Sequence, residues 1–187
     1  MEDELILVNE HDEPVGVMSK LLAHQLGYLH RAFSVFIFNE QNELLIQQRA
    51  LHKYHSAGQW ANSCCSHPKP NEDTQKAAER RLQEELGFVT PLTYAGSLIY
   101  KADVQGGLIE HEYDHIFIGY YNQYIQPNRE EVLSIRWISL PQLKQEIVLT
   151  PEIFTPWFKK ILEEFPLSNI LNKWICNNLI YNINFNI

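Results

Sequence analysis

A chain of 187 residues with 45% hydrophobic and 20% charged side chains can bury one sizeable core and is too short for two full domains. Its formal charge of -8 excludes a nonspecific grip on nucleic acid or on an anionic membrane, since both demand a basic stripe; an anionic small molecule would need a local basic pocket instead. Cys64, Cys65 and Cys176 are odd in number, and the adjacent pair is poorly placed for a disulfide, which fits a reducing compartment.

Met1-Glu2-Asp3-Glu4 is acidic where a secretory signal would be basic, and no apolar run approaches the roughly 18 residues of a membrane span. A cytoplasmic protein is expected. Glu4 to Val8 reads as a short strand, and the polar run from Asn9 to Gly16 as the turn leading out of it. Ala32 to Phe38 and Leu44 to Gln48 are rich in Phe, Val, Ile and Leu, and Asn39-Glu40-Gln41-Asn42 between them predicts a hairpin. The period then changes: Ala78, Leu82 and Leu86 share one face of a helix over Asp73 to Leu86, with Asp73 able to cap its start and Gly87 to supply a left-handed stop. Leu92 to Tyr100, Ile109 to Tyr121 and Val132 to Ile138 read as strands, parted by Gly106-Gly107 and by the polar stretch around Pro127. Leu140 to Glu146 and Thr155 to Phe165 read as closing helices. Hairpins mixed with helices, without regular alternation of one strand and one helix, predict an α+β fold in which a mixed β-sheet is layered with α-helices. That single domain is expected over residues 1–166. Residues 167–187 differ in kind, with seven Asn, no acidic residue and a single Lys; they predict either a helix around Ile170 to Leu179 or an extension the fold does not require.

Glu110-His111-Glu112 lies in a strand-patterned run, so alternation sets Glu110 and Glu112 on one face and His111 on the other. Two adjacent carboxylates repel unless a cation lies between them, although a solvated strand face is the ordinary explanation of an isolated pair. His24, His30 and His67 are available as partners, and neutral imidazoles with carboxylates make a site that suits Zn²⁺, Mn²⁺ or Mg²⁺. Each histidine alone is more often a surface or satisfied core residue; the joint pattern carries the information. Extended geometry would also put Cys65 and His67 on one side of their segment. On the helix, Arg81 and Glu85 are one turn apart with Glu84 about 100° round, a spacing that by itself describes a solvated ion pair. Arg49 and Lys53 follow a strand and with Lys20 could form the basic pocket, although basic residues there usually belong to a solvated loop.

Ser66 to Phe88 resembles the Nudix box, which reads Gly-x5-Glu-x7-Arg-Glu-U-x-Glu-Glu-x-Gly-U with U aliphatic: Glu72, Arg80, Leu82, Glu84, Glu85 and Gly87 fall in register. Ser66 replaces the first glycine, Phe88 the final aliphatic residue, and Arg81 a glutamate that ordinary Nudix hydrolases use to hold catalytic metal. That altered box, together with Asn62-Ser63-Cys64-Cys65-Ser66-His67-Pro68, Tyr100, Glu110-His111-Glu112 and Phe154-Thr155-Pro156-Trp157, is similar to type I isopentenyl-diphosphate isomerases from Leu5 to Phe165.

The resemblance implies that His24, His30, His67, Glu110 and Glu112 bind one divalent ion (Zn²⁺, Mn²⁺ or Mg²⁺), and that Glu85 helps hold Mg²⁺ against a substrate diphosphate. It implies Cys65 and Glu112 as the catalytic pair, Tyr100 as an aid to proton transfer and Trp157 as the aromatic facing the hydrocarbon. Lys20, Arg49, Lys53 and Arg81 would contact the diphosphate. The implied reaction, part of isoprenoid biosynthesis, interconverts isopentenyl and dimethylallyl diphosphate by protonation and deprotonation through a tertiary carbocation-like intermediate. A thiol near cationic groups can exist as thiolate, which would suit Cys65 to that work. The expected partner is a small-molecule diphosphate, with neither nucleic acid nor membrane, and the expected assembly a monomer or weak homodimer. Two departures touch the loop over the site: Ser56-Ala57-Gly58, where many members carry a bulky residue and Pro before the Gly, and Ala61, where Thr is common. The rival readings are a Nudix hydrolase of a nucleoside or other diphosphate, against which Arg81 argues, and a non-enzymatic metal- or phosphate-binding module, which leaves Cys65 unexplained.

Overall fold

The computed structural model describes residues 4–53 and 55–171. In chain order the elements are β1 (Glu4–Val8), β2 (Pro14–Ser19), α1 (Lys20–Leu26), β3 (His30–Phe38), β4 (Leu44–Arg49), β5 (Trp60–Ala61), β6 (Cys64–Ser66), α2 (Thr74–Leu86), β7 (Leu92–Val104), β8 (Leu108–Tyr120), β9 (Val132–Ile138), α3 (Leu140–Leu149) and α4 (Pro156–Glu164).

β3 organises the sheet. It runs parallel to β8 along its whole length, from His30 opposite Glu112 to Phe38 opposite Tyr120. Its other edge is divided among β1, which meets it at His30, β6, which sets Cys65 opposite Ser34, and β4, which meets it at Phe38. β7 lies antiparallel on β8, and β9 antiparallel on β4. Parallel and antiparallel ladders in one sheet, with helices on both faces, are the mixed layered α+β architecture expected from the sequence.

Alternation along β3 feeds both layers. Phe33, Val35 and Ile37 pack with Ala77, Ala78, Leu82 and Leu86 of α2, whereas Phe36 and Phe38 pack with Trp157, Phe158 and Ile161 of α4. A strand buried on both faces reads as a continuous apolar run, and each such side chain removed from water contributes about 1.5–3 kcal/mol. α2 begins where Asp73 accepts from the Lys76 N–H and ends at Gly87, whose φ of 78° reverses the chain. Residues 167–171 are helical, and Leu167 and Leu171 are buried against the α4 core, so the first turn after Pro166 packs on the domain. Cys176 and the remainder of the helix expected around Ile170 to Leu179 lie outside the described residues.

Four elements had no sequence signal. β2 is largely exposed, so no buried stripe marks it, and the expected Asn9 to Gly16 turn gives way to strand at Pro14. β5 and β6 are two and three residues long, below the length at which a period of two can show. α1 has only seven residues and buries two of them, Ala23 and His24.

Candidate active site

Glu110, Glu112 and Asp114 alternate along β8 and are all buried. His111 points away, its Nδ1 2.9 Å from the Gly27 carbonyl. α1 supplies Lys20 at its first position and His24 one turn later, and Gly27 at φ 66° then turns the chain so that His30 opens β3 beside Glu112. The middle of β3 holds β6, which delivers Cys65 and, just beyond, His67. The elements α1, β3 and β8 and the residue just past β6 thus bring the ligand atoms of His24, His30, His67, Glu110 and Glu112 within 4.8 Å of one another.

The hydrogen bonds at the outer ends of the imidazoles test whether this cage suits a cation. His24 Nδ1 lies 2.6 Å from the Lys20 carbonyl, and His30 Nδ1 2.9 Å from the Tyr28 carbonyl. A carbonyl only accepts, so both Nδ1 atoms carry the proton and the Nε2 lone pairs face inward. His24 Nε2 then meets Glu110 Oε2 at 2.9 Å, acceptor against acceptor, and buried His30 Nε2 has no hydrogen-bond partner among the described residues. Only a proton or a cation relieves such contacts. Where no cation lies between them a proton serves that contact: burial disfavours charge on His24, but Glu110 raises it above its ordinary value, whereas burial holds His67 well below, in the neutral form. Two imidazoles with inward lone pairs, the neutral imidazole of His67 and two carboxylates are a donor set that fits one divalent ion.

Glu112 belongs to the cage and to a cavity beside it. Its Oε1 is 3.0 Å from His67 Nε2, and its Oε2 accepts a short hydrogen bond from the hydroxyl of Tyr100, the residue directly opposite on β7. Burial works against the Glu112 charge, yet attraction from His30, whose Nε2 lies 3.6 Å from Oε1, and the Tyr100 hydroxyl hold its carboxyl below the ordinary value. Burial and then the Glu112 charge push the Tyr100 phenol well up.

The cavity, about 50 Å³, is lined by Cys65, Tyr100, Glu112 and Trp157, and by the basic side chains of Lys20 and Arg49. Burial pushes the Cys65 thiol up to about 12; Arg49 pulls the other way, but Glu85, Glu112 and Asp114 reinforce the burial. The thiolate expected from nearby cations is therefore not favoured, because the sulfur is buried and the negative charges of α2 and β8 act on it as well. The Arg49 guanidinium lies 5.1 Å from the centre of the Trp157 ring and holds it by a cation–π contact.

The four basic residues expected at a diphosphate do not share one pocket. Lys20 and Arg49 line the cavity; Lys53 and Arg81 line an adjoining groove of about 490 Å³, and Lys20 stands at the junction of the two. Arg81 donates to Glu85 at 2.6 Å, as its one-turn spacing predicts, and also to Glu84 at 2.7 Å and Glu131 at 3.3 Å. Although burial opposes the charge, those carboxylates and Cys64 raise its pKa further. Glu131 also pairs with Lys53, and the second oxygen of Glu85 accepts from Gln47 at 2.8 Å.

Sequence reasoning missed Gln47, His55, Asp114 and Glu131. Continuing the alternation from Glu110 and Glu112 would have found Asp114, which burial and then Glu112 hold well above the usual carboxylate range. His55 lies between β4 and β5, its Nε2 3.3 Å from Glu110 Oε1, and burial lowers it to about 4 against the pull of Glu110. No local pattern marks it or Glu131, because both act through contacts made far along the chain.

The chain matches the NUDIX domain over residues 28–158. It is 49% identical over 174 residues to the Isopentenyl-diphosphate Delta-isomerase of Serratia proteamaculans (strain 568), covering 93% of this chain and 97% of that one. It is 45% identical over 174 residues to the protein of the same name from Burkholderia multivorans (strain ATCC 17616 / 249), covering 93% and 98%. Among solved structures, DR0079 from Deinococcus radiodurans superposes with a TM-score of 0.66 at 20% identity over 79% of this chain and 90% of that one. A MutT protein from Methanosarcina mazei Go1 gives 0.61 at 20% identity over 75% and 95%; both likenesses concern the fold. No helix among the described residues is long and apolar enough to cross a membrane. The chain belongs to the NUDIX family and, within it, to the isopentenyl-diphosphate Delta-isomerases.

Proposed function

We propose that this chain interconverts isopentenyl diphosphate and dimethylallyl diphosphate, with Glu112 and Cys65 as its proton-transfer pair. The observation that carries the reading is the double engagement of Glu112, which faces the cage through Oε1 and Tyr100 through Oε2 in a cavity that Cys65 and Trp157 also line. A proton added to the terminal CH₂ of the isopentenyl group leaves a tertiary cation, and loss of a proton from C2 gives the dimethylallyl group. The alkene is a very weak base, so the acid must be held close in a space without water. One member of the pair delivers the proton and the other removes one, while Tyr100 holds a proton at Glu112 Oε2.

The face of the Trp157 ring stabilises the cation, an interaction worth about 2 kcal/mol or more when desolvated. A divalent ion (Zn²⁺, Mn²⁺ or Mg²⁺) held by His24, His30, His67, Glu110 and Glu112 would alter the proton affinity of the Glu112 carboxyl. Lys20, Arg49, Lys53 and Arg81 bind the diphosphate and oppose ionisation of the allylic product, and Glu85 would hold Mg²⁺ against it. A single catalytic domain over residues 1–166, an extension beyond it, a cytoplasmic location and a monomeric or weakly dimeric state complete the reading.

The test is incubation with Mg²⁺ and two substrate classes, five-carbon diphosphates and nucleoside diphosphates. Interconversion of the five-carbon pair is expected; release of orthophosphate or nucleoside monophosphate without interconversion would replace the reading by a hydrolase. Stripping the metal and adding back each ion singly identifies the ion the cage uses, and failure of every ion to restore activity would remove the metal from the reading.

A further inference from the structure

His55 stands outside the five-residue cage yet is only 4% exposed, within the cavity wall. Its Nε2 is 3.3 Å from Glu110 Oε1, while Glu110 Oε2 faces His24. The two oxygens of one cage carboxylate are thus divided between the cage and His55. The His55 ring also meets Trp157 edge-on, with centroids 5.7 Å apart and planes at 83°. Its carbonyl accepts from Arg49 Nη2 at 3.2 Å. One residue therefore touches a cage carboxylate, the aromatic wall and a basic residue of the cavity.

We infer that His55 is a positioning residue for this reaction: its Nε2–H donates to Glu110 Oε1 and so aims Oε2 into the cage, and its ring edge holds Trp157 against the hydrocarbon. An ionised carboxylate only accepts, so the His55 proton sits on Nε2. A carboxylate without a donor at its outer oxygen rotates among several orientations; a buried donor selects the one that turns the inner oxygen toward the other ligands. The inference rests on the reading of the cage as a metal site.

Two substitutions in the full chain separate the two contacts. His55→Phe keeps a ring edge at Trp157 and removes the donor; His55→Gln keeps a donor and removes the ring. Zn²⁺ and Mn²⁺ affinity is read without substrate by competition with a chromophoric chelator. His55→Phe should bind about tenfold more weakly than the parent, and His55→Gln within about threefold of it. With metal saturating, His55→Gln should lower kcat about tenfold and leave KM for isopentenyl diphosphate in place, since Arg49 is held through the backbone carbonyl.

Equal metal affinity in His55→Phe and the parent overturns the donor role, and an unchanged kcat in His55→Gln overturns the role at Trp157. If circular dichroism finds His55→Phe unfolded, His55→Gln decides alone: a tenfold loss of metal affinity with the donor retained overturns the inference. A parent protein that binds neither ion fails the cage reading instead, so the two failures are distinct.

Discussion

Two glycines with the same backbone angle separate the cost of a left-handed conformation from the cost of a collision. Gly87 ends α2 at φ +78°, and a Cβ placed there would meet the backbone oxygen of Gln126 at 2.6 Å; Gly106 has φ +80° and open space around it. Alanine at either position incurs about 1 kcal/mol for the left-handed angle. Only Gly87→Ala must also displace backbone, and that backbone is tied down: the Asn128 N–H donates to the Glu85 carbonyl at 2.9 Å, and Glu131 beyond it pairs with Lys53 and Arg81. Forcing an added carbon into such a contact costs about 1–3 kcal/mol, so Gly87→Ala should lose about 2–4 kcal/mol and Gly106→Ala about 1 kcal/mol. With a urea slope of about 2 kcal/mol/M, the midpoints fall by about 1–2 M and about 0.5 M. Because Lys53 and Arg81 share Glu131, Gly87→Ala should also raise KM for isopentenyl diphosphate, and Gly106→Ala should not. Equal midpoint shifts in the two variants would refute the collision as the source of the difference.

Cys65→Ser should lower isomerase activity by at least about 100-fold with the urea midpoint nearly unchanged; activity close to the parent's would remove the thiol from the proton-transfer pair. Stripping the cage ion should lower thermal stability as well as activity, and adding an ion at about 100 times its dissociation constant should restore about 2.7 kcal/mol, read as a rise in Tm; an unaltered Tm would mean that no ion binds the folded cage. Glu72 supplies a pH test away from the cage. Arg80 donates to both its oxygens and, with the Lys69 N–H, holds its carboxyl below the ordinary 4.5 against a smaller contrary effect of burial. A depressed folded pKa stabilises above the unfolded value and loses that stabilisation as pH falls through the folded one. The deficit of Glu72→Gln, about 0.5–1 kcal/mol at neutral pH for a partly exposed pair, should therefore shrink below pH 4.5; a deficit constant down to pH 3 would exclude the ion pair as its source.

α2 was legible because everything that defines it is local: its apolar face, its cap at Asp73 and its stop at Gly87 lie within one stretch, and all appear in the structure as expected. The alternation of Glu110 and Glu112 was legible for the same reason, and the register of β8 on β3 then carries both carboxylates to His30. β2 and α1 were not legible, since elements that leave most side chains in water leave no stripe, although α1 delivers Lys20 and His24 to the site. Cys65 shows a different limit. Its neighbouring cations can be counted along the chain, but its burial and the approach of Glu85 and Asp114 depend on how α2 and β8 pack.

Arg81 explains how a helix bearing most of a hydrolase motif serves another chemistry. Glu84, Glu85 and Glu131 converge on its guanidinium at 2.6–3.3 Å, an arrangement of three carboxylates that would otherwise be costly through mutual repulsion. A glutamate at that position would add a fourth negative charge and leave the cluster to be neutralised by several divalent ions, the kind of site that stabilises a leaving phosphate. The arginine instead supplies a fixed positive charge that is already hydrogen-bonded, and its exchange removes two units of negative charge from the groove. In the proposed reading, chemistry at the phosphates is thereby disfavoured. The cage of lone pairs on the sheet, shared through Glu112 with a cavity walled by Cys65 and Trp157, becomes the place where proton affinity can be tuned. On the same reading, the groove around Arg81, Lys53 and Lys20 is left to hold an anion.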